Sequence, residues 1–324
     1  MKGSSTAPAA AKALPEAEFR PAVRCDLPDW LYERLEAQFG ADEVLSLAQA
    51  LNQPAPLDLR VNTLKTNREA VLARLAADDI PAIPGPLSPL AIRLREKPAL
   101  AKYPLFLEGA FEVQDEGSQL LGYLLEPKRG EMVVDFCAGA GGKTLLLGAL
   151  MKNTGRLYAF DVSDKRLANL KPRLARSGLS NVHPARIEHE RDTKIKRLAG
   201  KVDRVLVDAP CSGLGTLRRN PDLKWRQSAD SVAELAAKQA AILDAAAKLV
   251  RPGGRVVYAT CSLLTAENDA VVEAFLAAHP DFTLTPASGV LAGHGILLDG
   301  DFLRLLPHRH NTDGFFAAIL DKKA

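Results

Sequence analysis

The stretch EMVVDFCAGAGGKT, residues 131–144, decides the fold, because it joins an apolar strand to a helix through a glycine-rich turn. Gly139, Gly141 and Gly142 allow a tight turn and a close approach to a ligand, and the helix that follows directs free N–H groups into the same space. The turn is not a complete P-loop, because Cys137 stands where the motif GxxxxGKS/T has its first glycine. The NAD fingerprint GxGxxG also fails, because its third glycine is missing. S-adenosylmethionine remains as a candidate ligand.

The next strand, RLYAF at residues 156–160, ends beside Asp161. An acid at this position accepts hydrogen bonds from ribose hydroxyls, which NAD and S-adenosylmethionine share, so Asp161 does not choose between them. Further along the chain, apolar strands alternate with helical patterns, and this alternation predicts a parallel sheet covered by helices on both faces. The tail segments FTLTP, FLRLLPH and GFFAAIL have no helical pattern between them and predict an antiparallel hairpin at the sheet edge. The expected fold class is α/β with a Rossmann-like, mostly parallel sheet.

The chain divides into three segments by composition. Its length of 324 residues favours one large domain and a smaller one. Residues 1–25 are rich in Ala, Ser and Pro, and we expect a disordered leader there. Residues 26–110 combine helical patterns with the segment LDLRVNTLK and a proline-rich turn, which predicts a small α+β region. Residues 111–324 contain the alternating pattern and form the predicted α/β domain.

Composition excludes several classes of protein. The net charge of +3 excludes a strongly basic nucleic-acid coat protein but allows a local basic patch. The four cysteines are far apart and form no CxxC pair, so we expect reduced thiols rather than a disulfide framework or a zinc ribbon. No apolar run has the length of a membrane span or of a secretory signal, so we expect a cytoplasmic protein without a membrane partner.

Two of the cysteines follow predicted strands, Cys211 in DAPCSGLGT and Cys261 in YATCSL. Ligands bind at the carboxyl edge of a parallel sheet, and Asp208 lies there too. A lone cysteine is more often a small buried apolar residue than a nucleophile, but two cysteines in neighbouring loops favour chemistry. Methyl transfer to an amine or a hydroxyl needs no thiol. Position 5 of a pyrimidine, in contrast, becomes nucleophilic only after a thiolate adds at position 6.

The pyrimidine reaction gives tasks to the neighbouring side chains. Asp208, kept protonated by its pocket, would protonate or hydrogen-bond the ring N3. A base must later remove the position-5 proton so that the thiol can leave, and a second cysteine could serve there. Lys143 could supply the positive charge that a thiolate of Cys261 needs at neutral pH. The candidate catalytic groups are therefore Cys261, Cys211, Asp208 and Lys143.

A basic loop, TLRRNPDLKWR at residues 216–226, follows the first of these thiols. Backbone phosphates and an unstacked base are bound by cations together with an aromatic face. The alternative is a solvated basic loop without a ligand. The candidate RNA contacts are Arg218, Arg219, Lys224 and Trp225, with Arg226 as a further cation.

At these residues the sequence resembles the RsmB and Sun family of S-adenosylmethionine-dependent RNA 5-methylcytosine methyltransferases. The resemblance runs from LRVNTLK through VQDEGSQL, DFCAGAGGKT, DAPCSGLGTLRRNPDLKW and YATCSL to HRHNTDGFF. It implies that Cys261 is the nucleophile and that Cys211 assists release of the methylated RNA. It also implies that Asp208 borders both the cofactor and the target base, and that Arg166 supports the loop. The residues that it implies for S-adenosylmethionine binding are Cys137, Ala138, Gly139, Ala140, Gly141, Gly142, Lys143, Asp161, Arg166, Asp192 and Asp208.

The sequence departs from the family pattern in the glycine turn. The family usually reads CAAPGGKT, whereas Gly139 and Ala140 stand here in place of Ala and Pro. The change loosens the turn and bears only on cofactor affinity. The acid expected near the adenine is less clearly marked, and we choose Asp192 over Glu188.

The resemblance implies transfer of a methyl group to cytosine in RNA, with ribosomal RNA as the first choice and transfer RNA as the second. Residues 26–110 would then dock the RNA. Two other classes stay open, a non-catalytic RNA-binding or ribosome-assembly factor of the same fold and a DNA cytosine methyltransferase. His308 and His310 lack a third ligand, so no metal is expected, and we expect a monomer.

Overall fold

The computed structural model describes residues 19–324. The described part opens with three helices, α1 (Pro21–Arg24), α2 (Asp29–Phe39) and α3 (Ala41–Leu51). Residues 1–18 of the predicted leader lie outside the described residues, so disorder there stays a prediction. The same prediction is wrong for residues 21–25, because α1 is helical and both Ala22 and Cys25 are buried.

A small antiparallel sheet follows these helices. Its strands are β1 (Leu57–Val61), β2 (Ala82–Pro84), β3 (Ala91–Leu94) and β4 (Phe111–Val113), in the order β2-β3-β1-β4. Helices α4 (Arg68–Ala77) and α5 (Pro104–Leu107) contribute apolar side chains to its core. Asn67 begins α4 by accepting a hydrogen bond from the N–H of Ala70, as asparagine commonly does at this position. The domain boundary predicted at residue 110 falls just before β4, which pairs with β1.

Within residues 19–324 the large sheet has eight strands, and helices cover both of its faces. Its strands are β5 (Met132–Asp135), β6 (Arg156–Asp161), β7 (Val182–Arg186), β8 (Val202–Asp208), β9 (Val250–Thr260), β10 (Phe282–Thr285), β11 (Leu303–Leu305) and β12 (Phe315–Lys322). The helices from this part of the chain are α6 (Glu116–Leu125), α7 (Gly142–Leu150), α8 (Asp164–Ser177), α9 (Thr193–Lys196), α10 (Leu223–Arg226), α11 (Ala229–Ala247), α12 (Asp269–Ala278), α13 (Ala287–Ala292) and α14 (Pro307–His310).

The order of the strands positions the site. Along the sheet the order is β7-β6-β5-β8-β9-β12-β10, and β11 pairs with β12. Strands β5 to β9 pair in parallel, and the order reverses between the neighbours β5 and β8. Open α/β sheets bind ligands beyond the carboxyl ends of the strands at such a reversal. The prediction of a Rossmann-like, mostly parallel sheet is confirmed.

The C-terminal strands are antiparallel as predicted, but their arrangement differs from a simple hairpin. β12 pairs with β9 on one side and with β10 on the other, so β12 lies inside the sheet and β10 is at its edge. The expectation that no helix separates these strands is wrong, because α13 follows β10 and α14 follows β11. Helices this short show too few turns to produce a periodic apolar pattern.

Helices α2 and α3 pack beside the carboxyl edge of the large sheet. Leu31 and Leu47 lie in one apolar cluster with Leu214, Leu217 and Leu263, which belong to the loops after β8 and β9. These loops are therefore held from outside the sheet as well as by it. No helix among residues 19–324 combines the length and the apolar character needed to cross a bilayer.

Candidate active site

The glycine turn lies between β5 and α7, at the point where the strand order reverses. Gly139 and Gly141 have φ angles of 57° and 83°, which glycine adopts without strain. A Cβ at Gly141 would lie 2.1 Å from a side-chain carbon of Leu170, so glycine is also required there for space. The path of the turn is therefore fixed by two glycines and by the helix packed behind it.

Two arginines hold the carbonyl groups of the glycine turn. Arg173 on α8 donates to the carbonyl oxygen of Ala140 at 2.8 Å. Arg60 on β1 donates to the carbonyl oxygen of Gly142 at 2.6 Å. Because β1 belongs to the small sheet, the small sheet directly supports the turn.

Asp161, the last residue of β6, is buried beside the glycine turn. One carboxylate oxygen accepts the N–H of Gly139 at 2.8 Å, and the other accepts the N–H of Ser163 at 2.8 Å. A carboxylate has about four lone-pair sites, so Asp161 keeps acceptor capacity for a ligand. Arg166 lies 4.0 Å from it, with an exposed guanidinium group.

Asp208 and Lys143 form an ion pair at the reversal point. The ammonium nitrogen of Lys143, on α7, lies 2.7 Å from a carboxylate oxygen of Asp208, at the end of β8. Burial alone would lower the pKa of Lys143, but the attraction and hydrogen bond of Asp208 raise it. Lys143 therefore carries a positive charge, and Asp208 is its anionic partner. The neutral Asp208 expected from the sequence is not supported by this geometry.

The two thiols face each other. The sulfur atoms of Cys211, after β8, and Cys261, after β9, are 3.3 Å apart. The hydrogen bond with Cys261 and burial raise the pKa of Cys211 well above its ordinary value. Cys211 therefore stays protonated and can donate to the sulfur of Cys261. The prediction from strand ends that the two cysteines meet at one edge of the sheet holds in the structure.

Backbone contacts lock the two thiol loops together. The N–H of Gly215 donates to the carbonyl oxygen of Cys261 at 2.8 Å, and the N–H of Gly314 donates to the carbonyl oxygen of Gly215 at 2.8 Å. A Cβ at Gly215 would lie 2.3 Å from the Gly314 oxygen and 2.8 Å from the Cys261 oxygen. Only glycine permits this approach of the backbones.

Comparison with known proteins identifies the family. Residues 122–321 match the family described as 16S rRNA methyltransferase RsmB/F, and residues 27–101 match the ferredoxin-like domain of RsmF/B-like methyltransferases. The chain belongs to the RsmB/F family. The resemblance seen in the sequence motifs is thereby confirmed.

Individual relatives agree with the RsmB/F assignment. The chain is 41% identical to the "Probable ribosomal RNA small subunit methyltransferase B" of Synechocystis, over 91% of this chain and 66% of that protein. It is 36% identical to the protein of the same name from Bacillus subtilis, over 94% of this chain and 68% of that protein. The chain thus spans about two thirds of the length of these relatives. A solved methyltransferase homologue from Pyrococcus horikoshii has a TM-score of 0.80 and 30% identity, covering 93% of this chain and 97% of that one.

The basic loop of this RsmB/F member does not present its charges as predicted. Arg218 and Arg219 contact the carboxylate of Asp313 at 3.7 and 2.6 Å. Lys224 is buried and lies 2.5 Å from Asp26. Each of these three side chains pairs with an acid of its own chain, which the count of charges in the loop did not include. Their contact with RNA stays a prediction.

The aromatic member of the loop behaves differently. The side chain of Trp225 is 60% exposed, so its ring is available for stacking. Arg226 is also exposed and pairs with Asp222 on the same turn at 2.6 Å. An RNA contact by Trp225 stays a prediction.

The remaining predicted cofactor residues divide into two groups. Cys137 to Gly141 lie in the glycine turn, and Gly142 and Lys143 begin α7. Burial raises the pKa of Cys137 and so disfavours its thiolate. Asp192 lies after β7, where it accepts hydrogen bonds from the N–H groups of Lys194 at 2.8 Å and Glu188 at 3.0 Å. These bonds lower the pKa of Asp192 and keep it ionised. Contact of Asp192 with an adenine stays a prediction.

The two histidines considered for a metal have protein partners. His308 contacts the carboxylate of Glu43 at 3.0 Å, and His310 accepts the N–H of Leu306 at 3.0 Å through its Nδ1. Among residues 19–324, no group of three or more metal-ligating side chains comes together.

Two residues of the site, Arg60 and Glu267, were not predicted from the sequence. Arg60 supports the glycine turn from the small sheet, and the segment LRVN gave no local signal of this distant contact. Glu267 is fully buried between the two thiol loops. In the sequence, Glu267 is marked only by its position: it lies six residues after Cys261 and precedes an apolar helix.

Proposed function

We propose that the protein methylates position 5 of cytosine in RNA, with ribosomal RNA as the first substrate to test and transfer RNA as the second. The observation that carries the proposal is the 3.3 Å separation of the Cys211 and Cys261 sulfur atoms, beside the ion pair of Lys143 and Asp208. An enzyme that methylates amines or hydroxyls has no use for two facing thiols, whereas position 5 of a pyrimidine requires covalent activation. The names of the Synechocystis and Bacillus subtilis relatives support ribosomal RNA as the substrate.

The turn between β5 and α7 has the features that S-adenosylmethionine requires. A Cβ at Gly139 would meet no atom within 4 Å, so the turn faces open space there. Asp161 retains lone pairs for ribose hydroxyls after its two backbone bonds. Residues 137–143 and Asp161 would hold the cofactor, with Arg166 and Asp192 as further contacts. When bound, it would supply an electrophilic methyl group.

Cys261 is the proposed nucleophile. Cys211 keeps its proton and can donate it to the sulfur of Cys261, and Lys143 places a positive charge near the same sulfur. Both effects stabilise a thiolate at Cys261. That thiolate would add to position 6 of the ring and so make position 5 nucleophilic.

Cys211 is the proposed base for product release. Contact with Cys261 is the main cause of its raised pKa, and this contact changes once Cys261 is bonded to carbon. Once Cys261 is bonded to carbon, Cys211 would release its own proton to water and, as the thiolate, accept the proton from position 5. Loss of that proton lets the bond between Cys261 and the ring break, which returns the thiolate of Cys261.

The ion pair of Lys143 and Asp208 would select cytosine as the target nucleobase. The Watson–Crick edge of cytosine has an amine donor at position 4 and acceptors at N3 and O2. Asp208 is an acceptor, and the ammonium of Lys143 is a donor 2.7 Å from it. Asp208 would accept from the amine while Lys143 donates to N3 or O2, so the ring N3 receives its hydrogen bond from Lys143 and not from a neutral Asp208.

The RNA is proposed to reach the site across the region of residues 26–110. This region contributes Arg60 to the glycine turn and packs α2 and α3 beside the thiol loops. Trp225 offers an exposed aromatic face next to the same helices, since its neighbour Lys224 pairs with Asp26. Base stacking on such a ring is the expected contact.

A covalent adduct tests the proposal. Cys211→Ala is mixed with S-adenosylmethionine and unmodified ribosomal RNA transcripts, and a denaturing gel is inspected for a slow band that ribonuclease removes. The proposal expects this band, because release is blocked after Cys261 has added to the base. The band must vanish in the Cys211→Ala, Cys261→Ala double variant. If wild-type protein methylates the RNA and Cys211→Ala forms no adduct, the thiol roles are wrong; if transfer RNA alone is methylated, the substrate choice is wrong.

A further inference from the structure

Glu267 is a fully buried carboxylate between the two thiol loops. It ends a short 3₁₀ helix, Thr265–Glu267, that leads into α12. Oε1 accepts hydrogen bonds from the N–H of Ser212 at 2.8 Å and from the side-chain amide of Gln239 at 2.9 Å. Oε2 accepts the hydroxyl of Ser212 at 2.6 Å and also the hydroxyl of Ser262. Four donors therefore converge on one carboxylate.

The serines on Glu267 are the residues that follow the two thiols. Ser212 comes directly after Cys211, and Ser262 comes directly after Cys261. Their hydroxyl oxygens are also 3.2 Å apart, which parallels the 3.3 Å separation of the sulfurs. The carboxylate thus ties together the backbones from which both thiols project.

A carboxylate is suited to this task because it is only an acceptor when ionised. Both donors to Oε1 are N–H groups, which cannot reverse their roles. No Lys, Arg or His among residues 19–324 forms an ion pair with Glu267, so its hydrogen bonds alone offset the cost of burial. Burying a carboxylate costs more free energy than burying an apolar side chain of similar size. The burial of Glu267 therefore indicates a role in holding the geometry of the two thiol loops.

We propose that Glu267 is a positioning residue that holds the Cys211 and Cys261 thiols on one target base by binding Ser212 and Ser262. The catalytic use of the two thiols rests on the proposed function. The positioning of the thiols by Glu267 does not depend on that function. Without the carboxylate, the two loops keep the backbone contact of Gly215 with Cys261 but lose their common acceptor.

The separation of the thiols can be measured without any activity. Purified protein is equilibrated with reduced and oxidised glutathione, and peptide mapping gives the fraction with a Cys211–Cys261 disulfide. The two thiols lose two hydrogen atoms while one glutathione disulfide becomes two glutathiones. The equilibrium gives the effective concentration of one thiol at the other, which depends on their geometry.

Glu267→Gln is compared with Glu273→Gln, which removes an exposed carboxylate on α12. The amide that Glu267→Gln introduces places a donor where two hydroxyls need an acceptor, so the effective thiol concentration should fall by about tenfold or more. Methyl transfer should lose kcat by a similar factor, with an unchanged Kd for S-adenosylmethionine and little change in KM for RNA. Glu273→Gln should keep wild-type values in all four measurements.

The outcomes separate the two proposals. An effective thiol concentration in Glu267→Gln within about twofold of wild type would overturn the positioning role, whatever the activity. If wild-type protein methylates no RNA, the proposed function fails, and the glutathione equilibrium still decides on Glu267. If Glu267→Gln no longer binds S-adenosylmethionine, the variant is treated as misfolded, and the measurement is made on Ser262→Ala instead. Ser262→Ala removes one hydroxyl donor and leaves the carboxylate of Glu267 in place. An unchanged thiol equilibrium in Ser262→Ala would then overturn the proposal.

Discussion

The ammonium group of Lys143 lies 2.7 Å from the carboxylate of Asp208, at the point between β5 and β8 where the order of the parallel strands reverses. Each partner comes from a different element, and each is largely withdrawn from solvent. The pair is therefore both a structural tie between α7 and β8 and, in the proposed mechanism, the source of the positive charge that acts on Cys261. Separate variants of its members distinguish these roles.

Lys143→Met should cost about 1–3 kcal/mol of unfolding free energy, because it leaves Asp208 without its cation. Asp208→Asn should cost a similar amount, and the double variant should lose less than the sum of the two. Methyl transfer should be lost in all three proteins. Denaturant unfolding of the four proteins gives the coupling energy, and additive losses would contradict a direct interaction between the two side chains.

Different residues of the basic loop should contribute to stability and to RNA binding. Lys224→Met should lower the free energy of unfolding by about 1 kcal/mol, because the Asp26 carboxylate that loses its partner is 59% exposed and water solvates it. Trp225→Ala should leave stability unchanged and weaken RNA binding roughly tenfold, as expected for the loss of one stacked base. Thermal melting and filter binding measure the two effects.

Arg226→Met is the matched control for this loop, because it removes an exposed cation whose partner is on the same helix turn. Its stability should equal that of the wild type. If Lys224→Met weakens RNA binding while its stability stays at the wild-type level, the ion pair with Asp26 is not the role of Lys224 in solution.

The extent to which the sequence predicted the site depended on the distance between partners along the chain. The glycine turn, Asp161 and the strand ends that carry the thiols could be predicted, because each follows from a local pattern of strand, turn and helix. Lys224 and its partner Asp26 are 198 residues apart, and Arg219 and Asp313 are 94 apart. A count of charges in the loop cannot include such distant acids, so it overestimated the free positive charge.

Two further features lay beyond a local pattern. Arg60 reaches the glycine turn only because the small sheet packs beside the large one, since Arg60 and Gly142 are 82 positions apart along the chain. Glu267 looks like an ordinary acid at the start of a helix, where acids are common. Its burial depends on two loops from different strands, and no spacing in the sequence reveals that.

Gly215→Ala should displace the loop that carries Cys261. The added Cβ would lie 2.3 Å from the carbonyl oxygen of Gly314 and 2.8 Å from that of Cys261, and backbone atoms cannot move aside cheaply. We expect a loss of about 1–3 kcal/mol in unfolding free energy. We also expect fewer disulfides between the two thiols in a glutathione buffer.

Gly289→Ala serves as its control, since a Cβ at Gly289 would meet no atom within 4 Å. Because Gly289 lies within α13, where alanine is favoured over glycine, this variant should be more stable than the wild type by up to about 1 kcal/mol and should keep the thiol equilibrium. Wild-type stability in Gly215→Ala would show that the backbones of the two loops are further apart in solution than in the structure.

Asp135 should make stability depend on pH. Burial raises the pKa of Asp135 from 3.8 to about 7, and only one of its oxygens has a partner among the described residues, the hydroxyl of Thr144 at 2.6 Å. Between about pH 4 and about pH 7, the folded chain therefore holds a proton at this site that the unfolded chain has lost. The free energy of unfolding then falls as the pH rises through this window and levels off above it.

Asp135→Asn removes this proton exchange and keeps the shape of the side chain. Its unfolding free energy should vary less between pH 5 and pH 8 than that of the wild type, by roughly 3 kcal/mol at most. Guanidinium unfolding at both pH values measures the difference, and Asp281→Asn, at an exposed site, should retain the wild-type dependence. An identical pH dependence in wild type and Asp135→Asn would mean that the carboxyl of Asp135 is ionised in the fold, and that Lys143 then compensates two acids rather than Asp208 alone.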